Sequence, residues 1–245
     1  MEVHQHAHTP RKKWHHYFWE FFMLFLAVTL GFLVENMRER FTEHKREMEY
    51  IHSYVEDMHS DIYQLDSLID HNRHRNSMMD SLSAILNTPD PDVYGKQIYY
   101  YARVLTLTFP FFSTDRTIQQ LKNGGNLRLI RKQDVSNAMM DYDLKVRFVE
   151  NIRSREEDYV REYVHWLEDI LDGRVFNEMM SGKFTMSFPS GNPHLLKKDQ
   201  ASILKFITKI HFLKAANSFA YINLVKTRQT AQKALDIIKK EYSAE

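Results

Sequence analysis

The strongest hydrophobic pattern in the chain is a run near its amino end. Residues 16–34 contain one charged side chain, that of Glu20. About 19 residues rising about 1.5 Å each span about 28 Å, close to the hydrocarbon thickness of a bilayer. Large aromatic residues lie at the upstream end, where an interfacial belt is expected: Trp14, Tyr17 and Trp19. The pattern predicts a transmembrane helix over residues 14–34, after a polar, histidine-rich tail of residues 1–13.

A buried core helix or a cleaved signal peptide can produce a similar run. A core helix this apolar should be flanked by elements that cover it, whereas this run follows a short polar tail. A cleavage site needs small residues, and residues 33–36 supply none. We therefore expect an uncleaved signal anchor.

The orientation of this anchor is not decided by its flanking charges. Arg11, Lys12 and Lys13 precede the run, and Arg38 and Arg40 follow it, while the positive-inside rule counts only Lys and Arg. A short basic amino terminus that stays inside is the usual arrangement for a signal anchor. We expect residues 35–245 to form the extramembrane domain on the outer side.

A long amphipathic helix is predicted directly after the span. Residues 35–87 contain no glycine or proline, and apolar residues recur there at alternating spacings of three and four: Ile51, Val55, Met58, Ile62, Leu65 and Ile69. Such a seam is typical of helices that pack as in coiled coils. The apolar face thins at residues 71–76, where we expect a bend or a break. Pro89 and Pro91 should end the helix.

Four further helices are predicted, two short and two long. The short ones cover residues 92–107 and 113–122, the second capped by Ser113 or Thr114 and ended by Gly124-Gly125. A long helix should run from an N-cap at Asp134 to about Leu171, with Gly173 ending it. The last should cover about 199–242, with an apolar face that includes these residues: Ile203, Phe206, Ile210, Leu213, Phe219 and Ile222.

The fold class that follows is all-α. An amino-terminal transmembrane helix precedes an elongated bundle of three long and two short helices. Residues 183–188 alternate as a strand would and predict at most one small β-hairpin.

Composition excludes several classes of function. The 33 basic and 32 acidic residues leave a formal charge of +1, and no basic stripe stands out, so we expect no nucleic-acid binding. The chain has no cysteine, which excludes disulfides, thiol catalysis and thiolate metal sites.

Histidine is frequent and raises the question of a metal site. Three pairs have the Glu-x-x-His spacing of di-iron bundles: Glu49 with His52, Glu56 with His59, and Glu162 with His165. The apolar seams place these pairs on solvated faces, whereas the ligands of such centres point into the core. The tail histidines His4, His6 and His8 can bind Zn²⁺ or Ni²⁺ only loosely, because ordering a disordered tail costs entropy. We assign no metal ligand and no cofactor.

No motif indicates catalysis. Residues 181–185 (Ser-Gly-Lys-Phe-Thr) lack the upstream glycine and the hydroxyl residue directly after the lysine that a phosphate-binding loop requires. We therefore assign no catalytic residue and expect a protein that is not an enzyme. The aromatic loop of residues 109–112 is interpreted as a cap on the bundle core, with an exposed patch for a partner or for the membrane surface as the alternative.

Residues 113–142, which begin Ser-Thr-Asp-Arg-Thr, resemble a segment of uncharacterised membrane-anchored helical proteins of Bacteroidetes. The charged stretch 35–40 (Glu-Asn-Met-Arg-Glu-Arg) after the span is similar as well. The departures are the histidine-rich tail and the very aromatic span. The resemblance implies a single-pass protein of the bacterial inner membrane. With the orientation expected of a signal anchor, the carboxy-terminal domain would be periplasmic. Because that family has no assigned activity, the resemblance implies no catalytic residue.

Two functional hypotheses follow. The first is a non-enzymatic interaction or scaffold protein, held in the lipid bilayer through residues 14–34, which binds a protein partner or forms a homo-oligomer. The alternative is a periplasmic ligand-sensing domain that acts through a partner protein.

Overall fold

The computed structural model describes residues 14–180 and 185–242, except for the side chain of Arg153. Within these ranges the fold is all-α, as predicted. The helices are α1 (Trp14–Leu86), α2 (Gly95–Val104), α3 (Arg116–Asn123), α4 (Gln133–Ile170), α5 (Gly173–Met179) and α6 (Gln200–Tyr242). Short 3-10 helices at Pro91–Tyr94 and Asn126–Leu129 lie between them. The chain divides into two compact units, one up to Tyr50 and one from Ile51.

The first unit contains the amino-terminal part of α1. In the described part of the chain, α1 is the one helix long and apolar enough to cross a membrane, and none of its apolar segment is buried. Inside that segment the Thr29 hydroxyl donates a hydrogen bond to the Phe25 carbonyl at 2.8 Å. This local bond satisfies a polar group that hydrocarbon could not solvate.

The second unit is built on three long helices: α1 from Ile51 onward, α4 and α6. Ion pairs join Asp66 to Arg228 and Asp80 to Lys214, so residue numbers rise along α1 while they fall along α6. The two helices are therefore antiparallel. The shorter helices α2 and α5 pack at the end of the unit that contains Leu86.

The core of the second unit lies where α1, α2, α4 and α6 meet. Its fully buried members include Met79, Leu82, Ile98, Ala102, Ile170 and Phe206. The Tyr163 ring stacks on Phe206 with ring centroids 5.6 Å apart, and its hydroxyl donates to the Ala102 carbonyl at 3.1 Å. The tyrosine therefore enters the core with its polar atom satisfied.

The predicted break at residues 71–76 was wrong, because α1 is continuous through this region. The apolar face thins there because two polar residues, Asn72 and Arg75, occupy buried positions. The Asn72 side chain donates a hydrogen bond to the Leu68 carbonyl of the preceding turn. The Arg75 side chain donates hydrogen bonds to groups outside α1. A gap in the hydrophobic pattern marked a buried polar layer and not an interruption of the helix.

Several predicted helix ends also need correction. Asp134 lies inside the first turn of α4, whose N-cap is Lys132. Its negative charge there stabilises the helix by interacting with the positive end of the helix dipole. Gly173 begins α5 and does not end α4. Asp172 caps α5 by accepting a hydrogen bond from the Arg174 amide. The glycine pair after α3 was predicted correctly, because Gly125 adopts the left-handed conformation with φ of 63°.

Where a small hairpin was possible, the described residues contain one isolated antiparallel bridge, between Met180 and Met186. The Ser187 amide donates to the Met179 carbonyl at 2.9 Å beside it. Residues 181–184, with most of the rejected phosphate-loop segment, and tail residues 1–13 lie outside the described residues.

Candidate functional site

The Glu-x-x-His pairs lie on exposed helix faces, as the seams predicted. All six side chains are exposed, and His52 and His165 retain 80% and 78% of their side-chain surface. His52 lies 3.4 Å from its helical neighbour Glu56. Among residues 14–180 and 185–242, no group of three potential ligands is arranged to share a metal ion.

The Ser-Thr-Asp-Arg-Thr segment before and within α3 is held by two buried carboxylates of α1. Asp57 accepts hydrogen bonds from the Thr117 amide at 3.1 Å and from Arg116 Nε at 2.6 Å. Asp61 accepts from the Thr114 amide at 2.7 Å. Asp57 thus does the capping that the sequence assigned to Ser113 or Thr114. These hydrogen bonds give the polar residues of the segment a structural role, which is to attach α3 to α1.

Asp61 also binds α4, because the Tyr142 hydroxyl donates to its second oxygen at 2.7 Å. Burial, and to a smaller extent the neighbouring Asp57, raises the pKa of Asp61 above its ordinary value. The space beside these groups is only about 20 Å³, enough for a water molecule and not for a substrate. The cluster joins helices and offers no room for chemistry on a ligand.

A second buried polar group centres on Arg75, whose side chain is 2% exposed. Its Nη1 donates to Glu156 at 2.5 Å and to Asn217 Oδ1 at 2.7 Å, and its Nη2 donates to the Leu105 carbonyl at 2.9 Å. Asn217 Nδ2 in turn donates to the Asn72 carbonyl at 2.9 Å. One guanidinium therefore fixes the register of α1, α4, α6 and the turn after α2. Sequence reasoning missed it, although a charged residue inside an apolar face was the available signal.

The aromatic loop is partly buried and partly exposed. Phe111 is buried, whereas Phe109 and Phe112 are 57% and 64% exposed. The Phe109 ring meets His71 edge to face at 4.7 Å. Burial, assisted by Arg75, lowers the pKa of His71, which favours the neutral imidazole.

A set of exposed apolar side chains lies on α4 and α6. We call the following residues the α4–α6 face: Phe148, Tyr159, Phe212, Phe219 and Ile222. They are between 37% and 50% exposed. Separations of seven, three and eleven residues keep the members of each helix on one side of it. Phe219 and Ile222, expected in the core stripe of the last helix, are therefore surface residues.

The α4–α6 face contains a groove between its two helices. The space is about 190 Å³, with Tyr159 and Phe219 among its lining and the small residues Ala215 and Ala216 between them. Glu156, which holds Arg75, lines it as well. The Glu156 side chain thus lines the groove and also accepts a hydrogen bond from the buried Arg75.

Charge on α6 is one-sided. Residues 200–235 contain six Lys or Arg and no Asp or Glu: Lys205, Lys209, Lys214, Lys226, Arg228 and Lys233. Lys209, Lys214 and Arg228 form ion pairs with the other long helices. Within the described part of the chain, the remaining three have no acidic partner within ion-pair distance. The apolar residues of α6 therefore have basic neighbours on their own helix, whereas the α4 side of the groove contributes Glu156.

No family model matches the chain, and neither a curated protein nor a solved structure is significantly similar to it. The resemblance to the Bacteroidetes proteins accordingly stays a prediction. Function must be argued from the surfaces described above.

Proposed function

We propose that this protein is a non-enzymatic interaction protein, anchored in the bacterial inner membrane through residues 14–34, which docks a partner protein on its α4–α6 face. The observation that supports this most directly is a groove lined by two exposed aromatic residues, Tyr159 and Phe219. Phe212 and Ile222 are further exposed apolar residues of α6. Exposed apolar clusters of this kind mark interaction surfaces, because leaving them in water is unfavourable. The periplasmic position of the domain belongs to the same proposal.

The partner that fits this face is an acidic amphipathic helix. A groove with alanines between two aromatic walls can accept the apolar side chains of a helix, as in other helix-in-groove complexes. Lys205 and Lys226 beside the apolar residues favour acidic positions on the partner. A second copy packed α6 against α6 would bring like charges together, which disfavours the homo-oligomer.

An anionic bilayer surface is the competing occupant of a basic apolar helix. The groove favours a protein, because a bilayer contacts a convex apolar surface and leaves a recess between two helices unfilled. Both outcomes can be separated in one experiment.

The experiment is photo-crosslinking of the full chain in its native membrane. A photoreactive phenylalanine analogue is placed at Phe219, and in a matched variant at Tyr63 of α1, an aromatic residue that is 79% exposed. We expect a single recurrent protein adduct from position 219 and none from position 63. Lys226→Glu should reduce that adduct several-fold. Adducts to lipid alone, adducts to a second copy, or equal adducts from both positions would contradict the proposal.

A ligand-sensing role acting through a partner protein is the second candidate. It is favoured by a separate groove of about 540 Å³, bordered by the carboxyl end of α4, by α5 and by Arg103 of α2. This volume is within the range of small-molecule sites. Loss of a crosslinked partner on adding a groove ligand would support sensing.

A further inference from the structure

The groove beside α5 has an apolar lining that belongs to the folded core. Leu167 and Leu171 line it and are themselves 4% and 1% exposed, and Phe176 and Leu196 extend the apolar surface. Such a lining removes apolar surface of a ligand from water. The groove therefore favours a ligand with a substantial apolar body.

The walls of this groove are fixed by hydrogen bonds. The Tyr99 hydroxyl accepts from the Asp172 amide at 2.7 Å and donates to the His194 carbonyl at 3.0 Å. The Leu196 amide donates to the Ile170 carbonyl at 2.9 Å. A groove that exists before binding costs little ordering entropy when a ligand enters.

Two arginines on the rim differ in their partners. Arg174 forms hydrogen bonds to both carboxylate oxygens of Asp172. Arg103 donates to the Thr106 hydroxyl at 2.6 Å and to the Met180 sulfur at 3.6 Å, and its guanidinium lies 6.0 Å from the Phe176 ring centroid. Across residues 14–180 and 185–242, no carboxylate lies within ion-pair distance of Arg103. A half-buried guanidinium whose hydrogen-bond partners are neutral leaves its charge available to an anion.

We propose that this groove binds an amphiphile with one carboxylate on an apolar body, such as a medium-chain fatty acid. The carboxylate is held by Arg103, and the chain lies along Leu167, Leu171 and Phe176. The rim carboxylates, Glu168 and Asp172, disfavour a head group with two negative charges, which selects a carboxylate over a phosphate monoester. This inference does not depend on the α4–α6 face.

The test is photo-labelling of the full chain in nanodiscs of zwitterionic lipid with a diazirine-bearing dodecanoate, followed by mass spectrometry of the labelled peptides. We expect labels within residues 164–176 or at Leu196. Unlabelled dodecanoate should compete for them, whereas dodecanol and dodecylamine should not. Labels within residues 14–34 come from probe dissolved in the bilayer and serve as an internal reference.

Three variants make the test specific. Arg103→Gln should weaken labelling of the groove at least about tenfold, the loss expected for a hydrogen-bonded charge pair. Arg174→Gln, whose arginine already has a carboxylate partner, should change it less than about twofold. Leu196→Trp, at a position 57% exposed, should block labelling by filling the groove without disturbing the core. Labels confined to residues 14–34, equal competition by dodecanol, or equal effects of the two arginine variants would overturn the proposal.

Discussion

Arg75 of α1 and Glu156 of α4 are 81 residues apart in the chain and share a hydrogen bond between a buried guanidinium and a carboxylate at the edge of the α4–α6 groove. The glutamate is 14% exposed and lines the proposed docking groove, while the arginine is almost fully enclosed. The position of a surface groove is thereby fixed by a buried charge. Stability and docking should therefore respond together to changes at this pair.

Arg75→Ala is expected to lower the free energy of unfolding by about 3–5 kcal/mol, because it leaves Glu156 and Asn217 without their common donor. Urea denaturation followed by circular dichroism measures the change. Arg155→Ala, an exposed neighbour of Glu156 on α4, is the matched control and should stay within about 0.5 kcal/mol. Equal effects of the two variants would show that the buried pair contributes little.

Gly95→Ala should destabilise the contact between α2 and the loop before α6. A Cβ atom at Gly95 would lie 1.9 Å from the Pro193 carbonyl oxygen, which is backbone and cannot turn aside. Overpacking of this kind costs at least about 1–3 kcal/mol. Gly191→Ala, where nothing lies within 4 Å, is the control and should leave the melting temperature nearly unchanged. A tolerated Gly95→Ala would mean that this loop is displaced easily.

Asp61 and Asp92 should give the protein opposite pH dependences. Burial raises the pKa of Asp61 above its ordinary value of 3.8, so its contribution to stability is present below about pH 4 and is lost as pH rises through the folded-state pKa. The Lys198 ammonium, together with the Leu195 amide, lowers the pKa of Asp92, so its contribution is present above about pH 4 and is lost as pH falls.

The measurement is the free energy of unfolding of Asp61→Asn and Asp92→Asn between pH 3 and pH 7. Relative to the unchanged chain, Asp61→Asn should gain stability as pH rises above about 4, whereas Asp92→Asn should lose stability as pH rises from 3 towards about 4 and change little above that. Parallel curves for the two variants would contradict the assignment of opposite shifts.

Phe219→Ser should have little effect on stability although it removes an aromatic ring from the longest helix of the second unit. The side chain is 44% exposed, so we expect a loss below about 1 kcal/mol. Phe206→Ser, on the same helix and 0% exposed, should cost at least about 3–5 kcal/mol. Thermal unfolding of both variants decides whether the α4–α6 face belongs to the core or to a surface kept for binding.

Most of the helices were predictable from the sequence, because a helix is indicated by the spacing of apolar residues that are close together in the chain. Residues 35–87 contain no glycine or proline and carry a seam spaced by three and four residues, and α1 follows this seam to Leu86. The left-handed Gly125 after α3 was equally readable. By contrast, α5 was not predicted, since its seven residues carry too weak a periodicity to show.

The candidate sites were less accessible, because they depend on what packs against each helix. Phe206 and Phe219 are thirteen residues apart, which places their side chains about 140° from each other around α6. Apolar residues occur on both of these sides of the helix, and only the tertiary fold shows which side is covered. Similarly, the capping of α3 by Asp57 joins residues that are about 60 positions apart. Arg103 is singled out only because no carboxylate of the described residues lies within ion-pair distance of it, which no sequence pattern records.

The spacing of the Arg75 network has a consequence for biosynthesis. Arg75 leaves the ribosome 142 residues before Asn217. During that time its guanidinium interrupts the exposed apolar face of the nascent α1 helix. If two unfinished chains associated along the apolar face of this helix, they would bury the Arg75 guanidinium without a partner, which is unfavourable. We infer that premature association is suppressed until α4 and α6 emerge, and ribosome-bound chains stopped before Glu156 should associate more when they carry Arg75→Leu.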